Sequence, residues 1–142
     1  VNAPFIAKDR GIEVKESKST EVHEYTSTIT VTAKTSDGER SVTGSVFGKG
    51  DSRIVQFNEF HFEALLSKHM LVLTNIDVPG VIGKLGSVLG SSNINIAGFH
   101  LGRIKEGDKA VAVVNIDSQP DRKTIDALKK IEGILNVSIV LL

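Results

Sequence analysis

Asp77, Val78, Pro79 and Gly80 stand between an apolar run and a stretch of helical periodicity. A proline here suits the opening of a helix, because its fixed φ fits the first turn and its missing N–H is not needed there. The mouth of such a helix carries free backbone N–H groups and partial positive charge, which favour a carboxylate. Asp77 beside it can meet an ammonium. Both signs side by side are what a zwitterionic amino acid requires. The same four residues also fit a plainer role, in which Asp77 caps the helix and the Pro-Gly pair sets a turn. Asn75 lies two positions before Asp77, on the same side of an extended strand end. Asn95, between Ile94 and Ile96, either satisfies backbone groups or presents its amide at an interface.

Other residues offer less. Glycines at 80, 83, 86 and 90 give a GxxGxxG spacing inside a helix, not the GxGxxG loop that cradles a phosphate before one. Small residues there suit the close approach of another helix or subunit. His23, His61, His69 and His100 form neither HxH nor HExxH, and without cysteine no metal site is expected. No GxSxG elbow or carboxylate–histidine arrangement points to a catalytic residue. Lys49, Arg53 and His61 could hold an anion, although a solvated surface accounts for them equally well.

Bulk properties narrow the classes. The chain has 142 residues, 17 basic and 17 acidic, with 5% aromatic residues and no tryptophan. Neutral charge and scarce aromatics argue against nucleic acid and anionic membranes as partners. The absence of cysteine excludes a disulfide scaffold and thiol catalysis, and fits a reducing, cytoplasmic compartment. No apolar run is long enough for a membrane span, and the start has no signal-peptide core. The chain begins at Val1 and has Met70 as its one methionine, so it reads as processed or cut from something longer.

The elements that must position these side chains follow from periodicity. Asn2 to Arg10 suggests a short helix capped by Asn2, expected to lean Phe5 and Ile6 on the next sheet. Residues 12–19 alternate apolar and charged, as a one-sided strand would. Residues 22–35 are rich in Thr, Val, Ile and Tyr, which suit strands. Ser36-Asp37-Gly38 is a hairpin turn, residues 39–47 a return strand, and residues 48–51 the next turn. Residues 53–57 and 60–62 are short strands, and residues 64–69 the expected hinge. From Met70 the order is strand, helix (apolar Val81, Ile82, Leu85, Val88, Leu89), and strand from Ile94. A strand over 109–117, a helix with Ile125, Leu128 and Ile131, and a strand over 135–142 follow. Ser118 or Asp121 caps the second helix, and Gly133 ends it. The fold class is α+β: a mostly antiparallel sheet with a short helix over 1–67, then a βαββαβ ferredoxin-like unit over 68–142, with two helices on one sheet face.

The run NIDVPGVIGKLGSVLGSSNINIAGFHLGR in that βαββαβ order resembles the ACT domain, a regulatory module that binds amino acids. The opening VNAPFIAKDRGIEVKESKS and the segment RIVQFNEFHFE resemble the C-terminal part of the long bacterial D-3-phosphoglycerate dehydrogenases, where an allosteric substrate-binding domain precedes the ACT domain. The resemblance implies an NAD-dependent oxidoreductase of serine biosynthesis, inhibited by L-serine bound between paired ACT domains. It places Asn75, Asp77, Val78, Pro79, Gly80, Val81 and Ile82 around the effector, with Asn95 supplied by the partner subunit. It implies self-association into dimers, with a tetramer open to the full enzyme. The nucleotide-binding and catalytic parts are absent, so this polypeptide itself is expected to hold no cofactor and to be inactive alone. Two alternatives are a regulatory β-type subunit of an iron–sulfur L-serine dehydratase and a purely structural oligomerisation module.

Overall fold

The computed structural model describes residues 2–18, 25, 27–36, 38–48 and 50–142. Helix α1 (Ala3–Asp9) comes first, followed by β1 (Thr28–Thr35), β2 (Gly38–Phe47), β3 (Asp51–Phe57) and β4 (Phe60–Leu65). A second group comprises β5 (His69–Ile76), α2 (Val81–Ser91), β6 (Ile96–Arg103), β7 (Lys109–Ile116), α3 (Arg122–Lys129) and β8 (Ile134–Leu141). The strands form two antiparallel sheets, ordered β1-β2-β3-β4 and β6-β7-β5-β8. The α+β class and the βαββαβ order expected from periodicity are those observed.

The second sheet is covered on both faces, which explains the continuous apolar runs Met70–Leu73 and Ala110–Val114 in its central strands. Leu71, Leu73, Ala112, Val114 and Val137 point to one face and pack with Leu85 and Leu89 of α2 and Leu128 of α3. Each fully buried Leu contributes about 1.5–3 kcal/mol relative to exposure. Met70, Val111 and Val113 point to the opposite face and meet Phe60, Phe62 and Ala64 of β4. Strand β4 alternates buried and exposed residues throughout its length. One edge of the first sheet is therefore the lid of the second.

That lid fits tightly at Gly102 on β6. A Cβ added there would lie 2.8 Å from Phe62 Cδ1 and 2.9 Å from the His61 carbonyl oxygen. Only a residue without a side chain lets β4 come this close. The seam is also tied by Asn115 of β7, whose Nδ2 donates to the Leu65 carbonyl and the Ser67 hydroxyl at 2.9 and 2.7 Å.

Several expectations need correction. Residues 12–18 of the expected strand over 12–19 form no strand, although their alternation permits one: among the described residues no strand pairs with them, and residue 19 lies outside these. Helix α1 buries none of its residues, and Phe5 is 80% exposed, so it does not lean on the sheet. The expected hinge is shorter, because Ala64 and Leu65 belong to β4 and His69 to β5. Strand β1 begins at Thr28; residues 22–24 and 26, with His23, lie outside the described residues, as do Asp37 of the hairpin turn and Lys49.

Candidate functional site

Strand β5 ends at Ile76, and four residues, Asp77 to Gly80, carry the chain to the first turn of α2. Two backbone bonds fix this exit. The Ile76 N–H donates to the Gly133 carbonyl at 2.8 Å, and the Asp77 N–H donates to the Asp108 carbonyl at 2.7 Å. Gly133 also sets the position of α2. Its φ is +91°, and an added Cβ would lie 2.8 Å from Val81 Cγ2. The helix can start where it does because Gly133 leaves Val81 room to bury.

The proline is not inside the helix as its position in the sequence suggested. Gly80 is the N-cap at φ +91°, the left-handed region, and α2 begins at Val81. Pro79 therefore belongs to the approach, one residue before the cap. No side chain caps α2. The first internal bond runs from the Lys84 N–H to the Gly80 carbonyl at 2.9 Å. The N–H groups of Val81, Ile82 and Gly83 thus have no acceptor within the helix and point out of its mouth. Val78, Pro79 and Gly80 are exposed and Ile82 is 36% exposed, whereas Val81 is buried.

Asn75 and Asp77 lie beside this mouth. Asn75 is 2% exposed; its Nδ2 donates to the Ile76 carbonyl at 2.8 Å, and its Oδ1 has no partner. A buried acceptor without a donor costs about 1–3 kcal/mol. The side chain of Asp77 is 18% exposed, and its Oδ2 accepts from Arg103 Nη1 at 3.0 Å. Arg103 was not among the residues singled out from sequence. It lies 26 positions from Asp77 and reaches it only through the pairing of β6 with β7 and β7 with β5. The strand exit and the helix that follows it thus hold a buried, unpartnered amide oxygen, a carboxylate paired with Arg103, and three backbone N–H groups without acceptors in the helix. Such an arrangement can take an ammonium and a carboxylate held by one small molecule.

Asn95 is not part of this cluster within the chain. It follows the C-terminal end of α2, a helix about 16 Å long at 1.5 Å per residue. There it is exposed, and its Nδ2 donates to Asp117 Oδ2 at 2.8 Å. Ser92, Ile94 and Asp121 line a cleft at the same end, remote from Asp77. The start of α3 nearby is closed: Asp121 Oδ1 accepts from the Thr124 N–H at 2.7 Å, which holds the Asp121 carboxyl below its usual range. Asp121 rather than Ser118 is the cap. Around Gly83, Gly86 and Gly90 an added Cβ would meet nothing within 4 Å, so no element of this chain uses their smallness.

Of the anion candidates of the first sheet, Arg53 has partners of its own. Arg53 Nη1 donates to Glu63 Oε2 at 2.7 Å, Asp51 lies at 4.0 Å, and the guanidinium sits 4.7 Å from the centre of the Phe47 ring. Its Nε is buried and has no partner. His61 is exposed on β4, on the same face as Glu63.

Comparison with known proteins agrees with this architecture. Residues 1–58 match the family described as the D-3-phosphoglycerate dehydrogenase intervening domain, and residues 69–133 match the ACT domain. A D-3-phosphoglycerate dehydrogenase of Synechocystis is 39% identical over 135 residues, which cover 94% of this chain and 24% of that protein. Proteins of the same name from Archaeoglobus fulgidus and Bacillus subtilis are 31% and 30% identical over 99% of this chain, each matched over 27% of its own length. The chain thus spans about a quarter of the length of the curated relatives it matches. With its βαββαβ sheet and a lid strand supplied by the sheet before it, the chain matches in order the D-3-phosphoglycerate dehydrogenase intervening domain and then the ACT domain.

Proposed function

We propose that this chain senses a small amino acid, with L-serine as the first ligand to test, and regulates a D-3-phosphoglycerate dehydrogenase of which it forms the C-terminal part. The reading is supported by the buried, unpartnered Asn75 Oδ1 two residues before Asp77 on the strand exit that leads to α2, a helix without a side-chain cap. A ligand ammonium would donate to both oxygens, and the N–H groups of Val81 and Ile82 would receive its carboxylate. Val78, Pro79 and Gly80 shape the approach.

Self-association completes the site in this reading. Strand β6 is an edge of its sheet. If two β6 edges pair antiparallel about a two-fold axis, the start of one strand lies opposite the end of the other. Asn95 of a second copy then comes next to Arg103 and Asp77. That the family match is to an ACT domain, a class of amino-acid-binding, dimerising modules, supports this arrangement. A coupling of roughly 1–3 kcal/mol between effector and parent enzyme would suffice for feedback inhibition. NAD and the oxidation step belong to the part of the parent protein outside this chain, which by itself should be inactive.

Calorimetric titration of the chain with L-serine tests the reading. Binding is expected, and Asp77→Asn should weaken it by about 1.5–3 kcal/mol, the worth of a hydrogen bond to a charged group. A folded dimer that binds no amino acid would instead favour a structural role.

A further inference from the structure

We infer that Arg103 is a built-in competitor for the effector: its guanidinium occupies, on Asp77, the place taken by the amino acid's ammonium, so that binding exchanges one cation for another. The inference rests on the assignment of Asp77 to the ligand's ammonium.

Three features of the structure carry it. Arg103 pairs with Ala110 on β7, and Ala110 pairs with Asn75 on β5. Neighbouring strands are about 4.8 Å apart, so the Arg103 side chain must cross nearly two strand spacings to reach the exit of β5. Only a long side chain does so. Ala110 between them is fully buried and carries just a methyl group, which leaves the path clear.

The two partners of the pair are also unequally placed. The Arg103 side chain is 55% exposed and that of Asp77 18%. The guanidinium can move into water at little cost. The carboxylate is the less hydrated of the two, so a cation beside it is favoured. Arg103 supplies one when the ligand is absent, and the ligand supplies one when it binds. Charge stays balanced throughout, since a neutral ion pair opens to admit a neutral zwitterion.

Finally, Arg103 directly follows Gly102, the residue packed against Phe62 and the His61 carbonyl of β4. The side chain that changes partner is therefore attached to the strand on which the first sheet rests.

The affinity of L-serine, measured by calorimetry on the chain and its variants, tests the inference. Half-exposed ion pairs have modest strength, so removing the competitor should tighten binding about two- to fivefold. Arg103→Met and Arg103→Gln should both show this gain, while Arg103→Lys, which keeps a cation within reach, stays near wild type. Unchanged or weaker binding by Arg103→Met and Arg103→Gln, with Asp77→Asn still losing the ligand, would overturn the competitor role and leave the site standing. Absence of binding by the folded wild-type chain would remove the site itself, and the inference with it. A merely structural Arg103 would lower the melting temperature on substitution without raising affinity.

Discussion

Helices α2 and α3 lie on the same face of one sheet, yet they begin in opposite ways. The first turn of α3 is sealed by its own chain: Asp121 accepts from the Thr124 N–H, and its carboxylate answers the positive end of the helix. The first turn of α2 has a left-handed glycine at its cap and no side chain to occupy its donors. The strand exit leading to that mouth carries the buried, unpartnered Asn75 Oδ1 and the partly buried Asp77, which Arg103 pairs with. The difference teaches where to look for a site. A helix mouth that the sequence closes is structural, whereas one left open beside unspent acceptors has something else to hold.

Substitutions can break the comparison at several points. The largest effect on folding is expected at Gly133→Ala, which forces an L-residue into φ +91° and drives a Cβ against Val81. A loss of about 1–3 kcal/mol in denaturant unfolding is predicted, with weaker L-serine binding, because the mouth of α2 is displaced. Gly102→Ala comes next. Its Cβ would meet Phe62 and the His61 carbonyl, which are part of the lid rather than of the helix mouth. A loss of about 1–2 kcal/mol is expected, with affinity for L-serine changed far less than by Gly133→Ala. Little effect on stability despite a 2.8 Å approach would mean that β4 does not rest on β6 as described.

The smallest effect sharpens the contrast. Asp121→Ala opens the mouth of α3 and should lower the melting temperature modestly at neutral pH, leaving L-serine binding intact. The sign with pH follows from the lowered carboxyl pKa of Asp121. A carboxylate depressed in the folded state stabilises above the pKa it has when unfolded, and that contribution fades as pH falls through the folded value. The gap between wild type and Asp121→Ala should therefore be full at neutral pH and close in acid. A gap that widens on acidification would contradict the capping role.

What the sequence made legible was local. The run of Met70 to Leu73, the helical spacing from Val81 to Leu89 and the capping residue at Asp121 each announce an element within a few residues. Their alternation and spacing follow from strand and helix periods, so the βαββαβ order could be read directly. Pairing information was not local. The alternation over residues 12–19 suggests a strand, but a strand needs a neighbour, and among the described residues none pairs with 12–18. The Arg103–Asp77 pair depends on two strand registers and on a small Ala110 between them, none of which periodicity encodes. Likewise, β4 could be seen as a strand, while its role as the cover of Met70, Val111 and Val113 emerges only from packing between sheets. The Arg53–Glu63 pair also forms only once β3 and β4 pair, which periodicity does not encode.

The contrast between the two helix mouths can be measured directly by following backbone amide resonances of the chain during titration with L-serine. The amides of Val81, Ile82 and Gly83 and the side-chain amide of Asn75 should shift with saturation, while Thr124 at the mouth of α3 stays in place. Saturable shifts confined to Thr124 and its neighbours, with α2 unmoved, would show that the open mouth is not where an amino acid is held.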